Sequence, residues 1–188
     1  MKNIYVMRHG QTLFNVQGRT QGWCDSPLTE KGIADTQKAG QFLRNFPVQF
    51  DAFYSSTQER ACDTLEIIFP KQAYQRLKGL KELNFGQFEG HPQYLEVRDK
   101  TTFFKDFGGE TFDEVADRML STFGEIAQET EAQNIFCVSH GAALWATLIS
   151  IFGYRPEELA PIQNLEMIHF TFDEQTKKIG FKEKISTL

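Results

Sequence analysis

Residues 4–15 read IYVMRHGQTLFN. Ile4 to Met7 are apolar and strand-like, and they run without a linker into Arg8-His9-Gly10. A buried strand has no packing use for a cation and an imidazole, so the reading turns on what lies beyond its end. In open α/β sheets the carboxyl ends of the strands face a crevice where ligands bind. A strand terminus there is a rigid platform for side chains, and Gly10 is expected to let the backbone approach a ligand closely.

The surrounding sequence supports such a sheet. Strand-like segments NIYVM, FDAFYS, NIFCVS and MIHFTF, with weaker ones in AYQRL and IGFKEKI, alternate with helical periodicity. After FDAFYS, residues Ser56-Thr57-Gln58-Glu59 have capping-box spacing and precede Ala61, Leu65, Ile68 and Phe69 at helical intervals. A second helix is predicted near Thr29 and another from Gly141-Ala142. A long one over 111–131 opens on Thr111 and Glu114, with Phe112, Val115, Ala116, Met119, Leu120, Phe123 and Ile126 on one stripe. The expected fold class is α/β, a three-layer α/β/α sandwich with a mostly parallel central sheet, as one domain over 1–188. Residues 91–107 show no clear period but carry Phe103, Phe104 and Phe107, which reads as an insertion or a lid.

Composition narrows the function classes. A net charge of −5 argues against a nucleic-acid surface, which needs dense Lys/Arg fields. An anionic small substrate would need cations gathered locally. Three cysteines without CxxC spacing suggest neither a disulfide framework nor a zinc site, and they read as free thiols in a reducing compartment. MKNIYVMRHG lacks the apolar run of a cleavable signal, and no stretch approaches the ~18 apolar residues of a membrane span. A cytoplasmic location without membrane association is therefore expected. The sequence carries no signature of oligomeric state.

The unusual residues collect at three strand ends: Arg8-His9-Gly10, Arg60 after FYSST, and His140-Gly141 after FCVS. Two histidines and two arginines make a small cationic pocket on an acidic chain, which suits a phosphate. In this setting RHGQT, TQGWCDSPLTEKG, SSTQERACDT, ELNFGQFEG and SHGAAL, in that order from residue 8 to residue 144, resemble the histidine phosphatase superfamily, also called phosphoglycerate mutase-like.

The resemblance implies a phosphohistidine mechanism needing no metal and no cofactor. His9 would be the nucleophile, attacking phosphorus as a neutral imidazole while its other nitrogen is held as a donor. Arg8 and Arg60 match phosphate-binding arginines whose planar forks can grip phosphoryl oxygens in a bidentate way. His140 matches the second histidine, whose protonated form would donate to the transferring group. Glu82 stands at the general-acid position, where its pKa would have to be raised to serve near neutral pH. Asn15, Gln21 and Gly22 match positions that touch phosphate or substrate.

Other readings compete. Glu89 rivals Glu82 but is read as structural, as is His169. Two His and a Glu could form a zinc set, but adjacent arginines would repel the ion. Trp23 and Phe14 could line a pocket or the core, and their place in motif segments favours the pocket. A mutase of this family would carry adjacent arginines after the acid. Here no Arg-Arg pair exists, and residues 91–107 offer only Arg98, Lys100 and Lys105 as fixed cations. The expected activity is therefore hydrolysis of small phosphomonoesters, with mutase-type transfer and non-catalytic phosphate binding as alternatives. Phe103, Phe104 and Phe107 could wall a substrate or pack into the core.

Overall fold

The structure, a computed structural model, describes residues 1–95, 101–153 and 161–188. Its strands are β1 (Lys2–Arg8), β2 (Ala52–Ser56), β3 (Gln75–Leu77), β4 (Asn134–Ser139), β5 (Met167–Phe172) and β6 (Ile179–Ile185). They form one sheet in the order β3-β2-β4-β1-β5-β6. The β1/β4, β2/β4 and β2/β3 pairs are parallel, and β5 and β6 close the other side as an antiparallel pair, with β5 antiparallel to β1. All six sequence-based strands are present, including the weaker two.

Alternation along β1 divides the core. Ile4 and Val6 pack with Ile135 and Cys137 against helices α4 (Phe112–Glu129) and α5 (Gly141–Phe152). Tyr5 and Met7 face the other way, with Phe136 and Val138, onto α2 (Glu30–Arg44) and α3 (Glu59–Ile68). Since successive strand side chains point to opposite faces, one central strand with both residue sets apolar must be covered on both sides. Met119 and Phe123 on α4 are fully buried, each worth roughly 1.5–3 kcal/mol in area removed from water. A short helix, α1 (Leu13–Gln17), follows the first strand end.

The caps explain where the helices start. Thr29 accepts the Gly32 N–H at the head of α2, and Thr111 and Glu114 form the expected capping box on α4. The box expected at 56–59 does not form. Helix α3 is capped by Gln58 with no side-chain bond, since Ser56 still belongs to β2; its hydroxyl accepts Gln58 N–H and lies 2.7 Å from His140 Nε2.

Phe103, Phe104 and Phe107 pack into the protein and do not wall a substrate. Phe104 is buried, and Phe103, Phe104 and Phe107 all pack edge-on against Phe88. Phe104 also meets Phe85. They stabilise the loop that carries Glu82 and Glu89. Of the cations expected in this segment, Lys105 pairs with Glu114 and is exposed, while Arg98 and Lys100 lie outside the described residues. Among the described residues, no helix is long and apolar enough to cross a membrane.

Candidate active site

Because β2, β4 and β1 are adjacent and parallel, their carboxyl ends open on one edge of the sheet. The chain after β1 supplies His9, the start of α3 supplies Arg60, and the residue after β4 is His140. The His9 and His140 ring centroids are 5.2 Å apart. Asn164 fixes the backbone beneath them by donating Nδ2–H to the His9 carbonyl at 2.8 Å.

His9 Nδ1 lies 2.7 Å from the Gly10 carbonyl oxygen, so Nδ1 carries the proton and donates it. That leaves Nε2 as a lone pair, and Arg60 Nε–H points at it from 3.2 Å. Burial lowers the His9 pKa well below its ordinary 6.5. Arg60 and then Arg8 push the same way, against the smaller opposing effect of the Gly10 carbonyl. The resting ring is therefore neutral, with an unprotonated nitrogen ready for an electrophile.

The same forces act on His140, lowered well below 6.5 by burial first and then by Arg60, His9, Arg118 and Arg8. The protonated donor expected of His140 is thus not its resting form, because three arginines and a dry surrounding disfavour a further positive charge. Its Nε2 meets Ser56, and its Nδ1 is buried without a partner. An arriving phosphate dianion would reverse the local sign and favour the protonated ring.

These shifts tie stability to pH. A histidine with a depressed folded pKa binds fewer protons folded than unfolded between that value and 6.5, so stability rises with pH across that window and is lost as pH falls through it. Each such ring contributes a slope of up to about 1.4 kcal/mol per pH unit. Imidazole ¹⁵N spectra should show His9 as the Nδ1–H tautomer without titration from pH 8 to 6. A midpoint near 6.5 would contradict the buried neutral ring.

Arg60 is fully buried, and its five N–H donors are all engaged. Besides Nε on His9, Nη1 donates to Asp25 Oδ1 at 2.9 Å and to the Cys24 carbonyl, and Nη2 donates to the carbonyls of Gln21 and Gly22. The bidentate grip expected of Arg60 is not what the site presents, since the end of the fork is spent on residues 21–25. Arg8 differs: Nη1 donates to the Ile162 carbonyl, while Nε is buried with no partner.

Glu82 is buried, and both of its oxygens accept backbone protons. Oε1 takes Ala143 N–H at 2.7 Å and Leu83 N–H at 2.9 Å, and Oε2 takes Ala142 N–H at 3.1 Å. The carboxyl group thus sits at the N-terminus of α5, where it accepts backbone N–H groups that have no partner within the helix. Glu89 accepts the N–H groups of Gly22, Trp23, Cys24 and Phe85, so its expected structural role is what the contacts display.

A cavity of about 260 Å³ opens at this edge. Arg8, His9, Asn15, Gln21 and Glu82 line it, together with Arg19 and an apolar wall that includes Leu83, Phe85, Phe112, Trp145 and Ile162. Arg60 and His140 have no exposed surface and do not line the cavity, although Arg60 Nε–H reaches His9 Nε2 from beside it. Gly22 does not line the cavity. A Cβ there would lie 2.2 Å from the Leu83 carbonyl oxygen, so the glycine serves the packing of two loops. Gly10 has a similar reason: a Cβ would meet Thr36 Oγ1 at 2.5 Å, on α2 and not in the cavity. Trp23 and Phe14 also stay off the cavity lining. Trp23 is partly exposed and donates Nε1–H to the Glu82 carbonyl.

Sequence reasoning missed Ser56, Gln58, Arg118 and Asn164. Gln58 accepts Glu82 N–H at 2.9 Å and donates to the Gly22 carbonyl, so it joins the Glu82 backbone to the loop around Arg60. Among the described residues, no group of three or more His, Cys, Asp or Glu side chains converges to hold a metal ion.

Comparison with known proteins places the chain in a family. Residues 4–182 match the profile described as histidine phosphatase superfamily (branch 1). The chain is 31% identical over 160 residues to the uncharacterized phosphatase PhoE of Bacillus subtilis (strain 168), covering 84% of this chain and 81% of that one. It is 30% identical over 192 residues to the 2,3-bisphosphoglycerate-dependent phosphoglycerate mutase 2 of Gloeobacter violaceus, covering 93% and 87%. A crystal structure of a phosphoserine phosphatase mutant from Entamoeba histolytica in complex with phosphoserine superposes with a TM-score of 0.84 at 24% identity, covering 100% and 98%, which speaks for the fold. With the profile spanning nearly the whole chain, the chain belongs to the histidine phosphatase superfamily, branch 1.

Proposed function

We propose that this chain, acting as one domain, is a phosphatase of small phosphomonoesters that works through a phosphohistidine on His9. The observation that carries the reading is the neutral His9 ring, with Nδ1–H held by Gly10 and Nε2 directed at an arginine donor beside a small cavity. Nε2 attacks phosphorus, the bond from phosphorus to the ester oxygen breaks, and the leaving alkoxide takes a proton from the Glu82 carboxyl. Water then attacks the phosphohistidine, gives its proton to the Glu82 carboxylate, and the N–P bond breaks to return neutral His9. Arg8 Nε, His140 and the Arg60 Nε–H, released from His9, stabilise the charge on the phosphoryl oxygens. Asn15 and Gln21 line the path of the substrate.

Hydrolysis is favoured over transfer between phosphoglycerate positions by the cavity's charge. Its described lining holds two cations, Arg8 and Arg19, and Arg19 is already donating to the Gly90 carbonyl. A doubly phosphorylated intermediate would need more. Unpaired Cys24, Cys62 and Cys137 fit a reducing, cytoplasmic setting.

Inorganic phosphate release from a panel of phosphomonoesters, measured with EDTA present, tests the reading. Conversion of 3-phosphoglycerate to 2-phosphoglycerate without phosphate release, followed by ³¹P NMR, would replace it with a mutase. Glu82→Gln should lower kcat/KM about 10²–10³-fold for alkyl phosphates but less than about tenfold for p-nitrophenyl phosphate, whose leaving group needs little protonation. Equal losses would remove Glu82 from the acid's role.

A further inference from the structure

One side chain outside the cavity, Arg118, serves three carbonyls of the loop that carries Glu82. Arg118, on α4, donates Nη1–H to the carbonyls of Gly79 (2.9 Å) and Lys81 (2.6 Å) and Nη2–H to the carbonyl of Glu82 itself (2.8 Å). Its two remaining donors grip Glu110, Nε on Oε1 at 2.8 Å and Nη2 on Oε2 at 3.0 Å. All five guanidinium protons are therefore spent within the protein, leaving none for a substrate, and Arg118 does not line the cavity. Glu110 completes the bracket by accepting Asn84 N–H at 2.9 Å, on the far side of Glu82.

We propose that Arg118, braced by Glu110, is a positioning residue for proton transfer, which fixes Glu82 against the ester oxygen; this rests on the reading of Glu82 as the acid. The geometry gives the reason. A chain at 78–82 with no longer regular element than a three-residue turn leaves its carbonyls without ladder partners. Arg118 serves three of them, Ser139 Oγ serves Leu80, and Trp23 Nε1 adds a second donor to Glu82. The fork is planar and rigid, so the spacing of these carbonyls, and with it the Cα of residue 82, is set to within the tolerance that a proton-transferring carboxyl requires. Lysine could neutralise Glu110 but could not span the same acceptors.

A cycle of Arg118→Lys and Glu82→Gln tests this, with kcat/KM read on an alkyl phosphate and on p-nitrophenyl phosphate, and with melting followed for each variant. Arg118→Lys is expected to lower alkyl-phosphate kcat/KM about tenfold or more, within the span of acid catalysis, and the aryl value less than about threefold. In the Glu82→Gln background the same change should leave the alkyl-to-aryl ratio unaltered. A folded Arg118→Lys with an unchanged ratio, or one that shifts the ratio equally in both backgrounds, overturns the proposal. If Glu82→Gln alone leaves the ratio unchanged, the acid assignment itself fails, and the role of Arg118 with it. Should Arg118→Lys not fold, Glu110→Gln loosens the brace while leaving Arg118 its three carbonyls, and the same outcomes decide.

Discussion

Replacing His9 with alanine is expected to reduce phosphate release by at least about 10⁴-fold while the protein still folds, because a covalent pathway without its nucleophile keeps only binding and charge stabilisation. The loss should fall on kcat, since Arg8 and the cavity wall remain to bind substrate. His9 is almost wholly buried, yet its ring packs beside polar groups and makes one backbone bond, to Gly10, so truncation leaves the hydrophobic clusters on both faces of the sheet intact. Rapid quenching with ³²P-labelled substrate should trap an acid-labile, alkali-stable phosphoprotein in the wild type and none in the variant. Turnover in His9→Ala within tenfold of wild type, or label retained on that variant, would place the nucleophile elsewhere.

The parts of this site visible in the sequence share one property: their residue types are out of place for a fold alone. Arg8-His9 at the end of an apolar strand, and His140 after FCVS, have no packing reason to be there, and period-2 and 3.6-residue patterns locate those strand ends well. Supporting residues lack such a signal. Arg118 stands on an amphipathic helix whose polar positions read as solvated, and its partners at 79, 81, 82 and 110 are set by how the loop crosses α4. Ser56 looked like a helix cap because capping-box spacing is local, whereas its bond to His140 spans 84 residues. The glycines misled for a related reason. Gly10 and Gly22 are small because of a neighbouring helix and loop, and a glycine in a motif says only that something approaches closely. Phe103 and Phe104 could be placed in core or pocket only once Phe88 was seen to receive them.

Arg60→Lys is expected to lower kcat/KM by about 10²–10³-fold and to cost about 2–4 kcal/mol of stability, although the formal charge is kept. The catalytic loss follows from Nε: a lysine has a single nitrogen at its tip, so it can serve the Asp25 end or the His9 end but not both. Removing one donor at a site of developing charge commonly has that effect. The stability loss follows from the other end, where the carbonyls of Cys24 and Gln21 are left short of a donor and that of Gly22 keeps only Gln58, in a place with no exposed surface on residue 60. For a chain of this length each kcal/mol moves the melting temperature by roughly 2–4 °C, so the two effects are separable by measuring kinetics and melting on one preparation. Asp25→Asn divides them further. It removes the anion that the fork's far end grips but leaves Nε on His9, so it should lower melting while changing kcat/KM by less than about tenfold. A variant Arg60→Lys that melts like the wild type and turns over within tenfold of it would mean that the 21–25 loop is held without the fork and that the donor aimed at His9 Nε2 is dispensable.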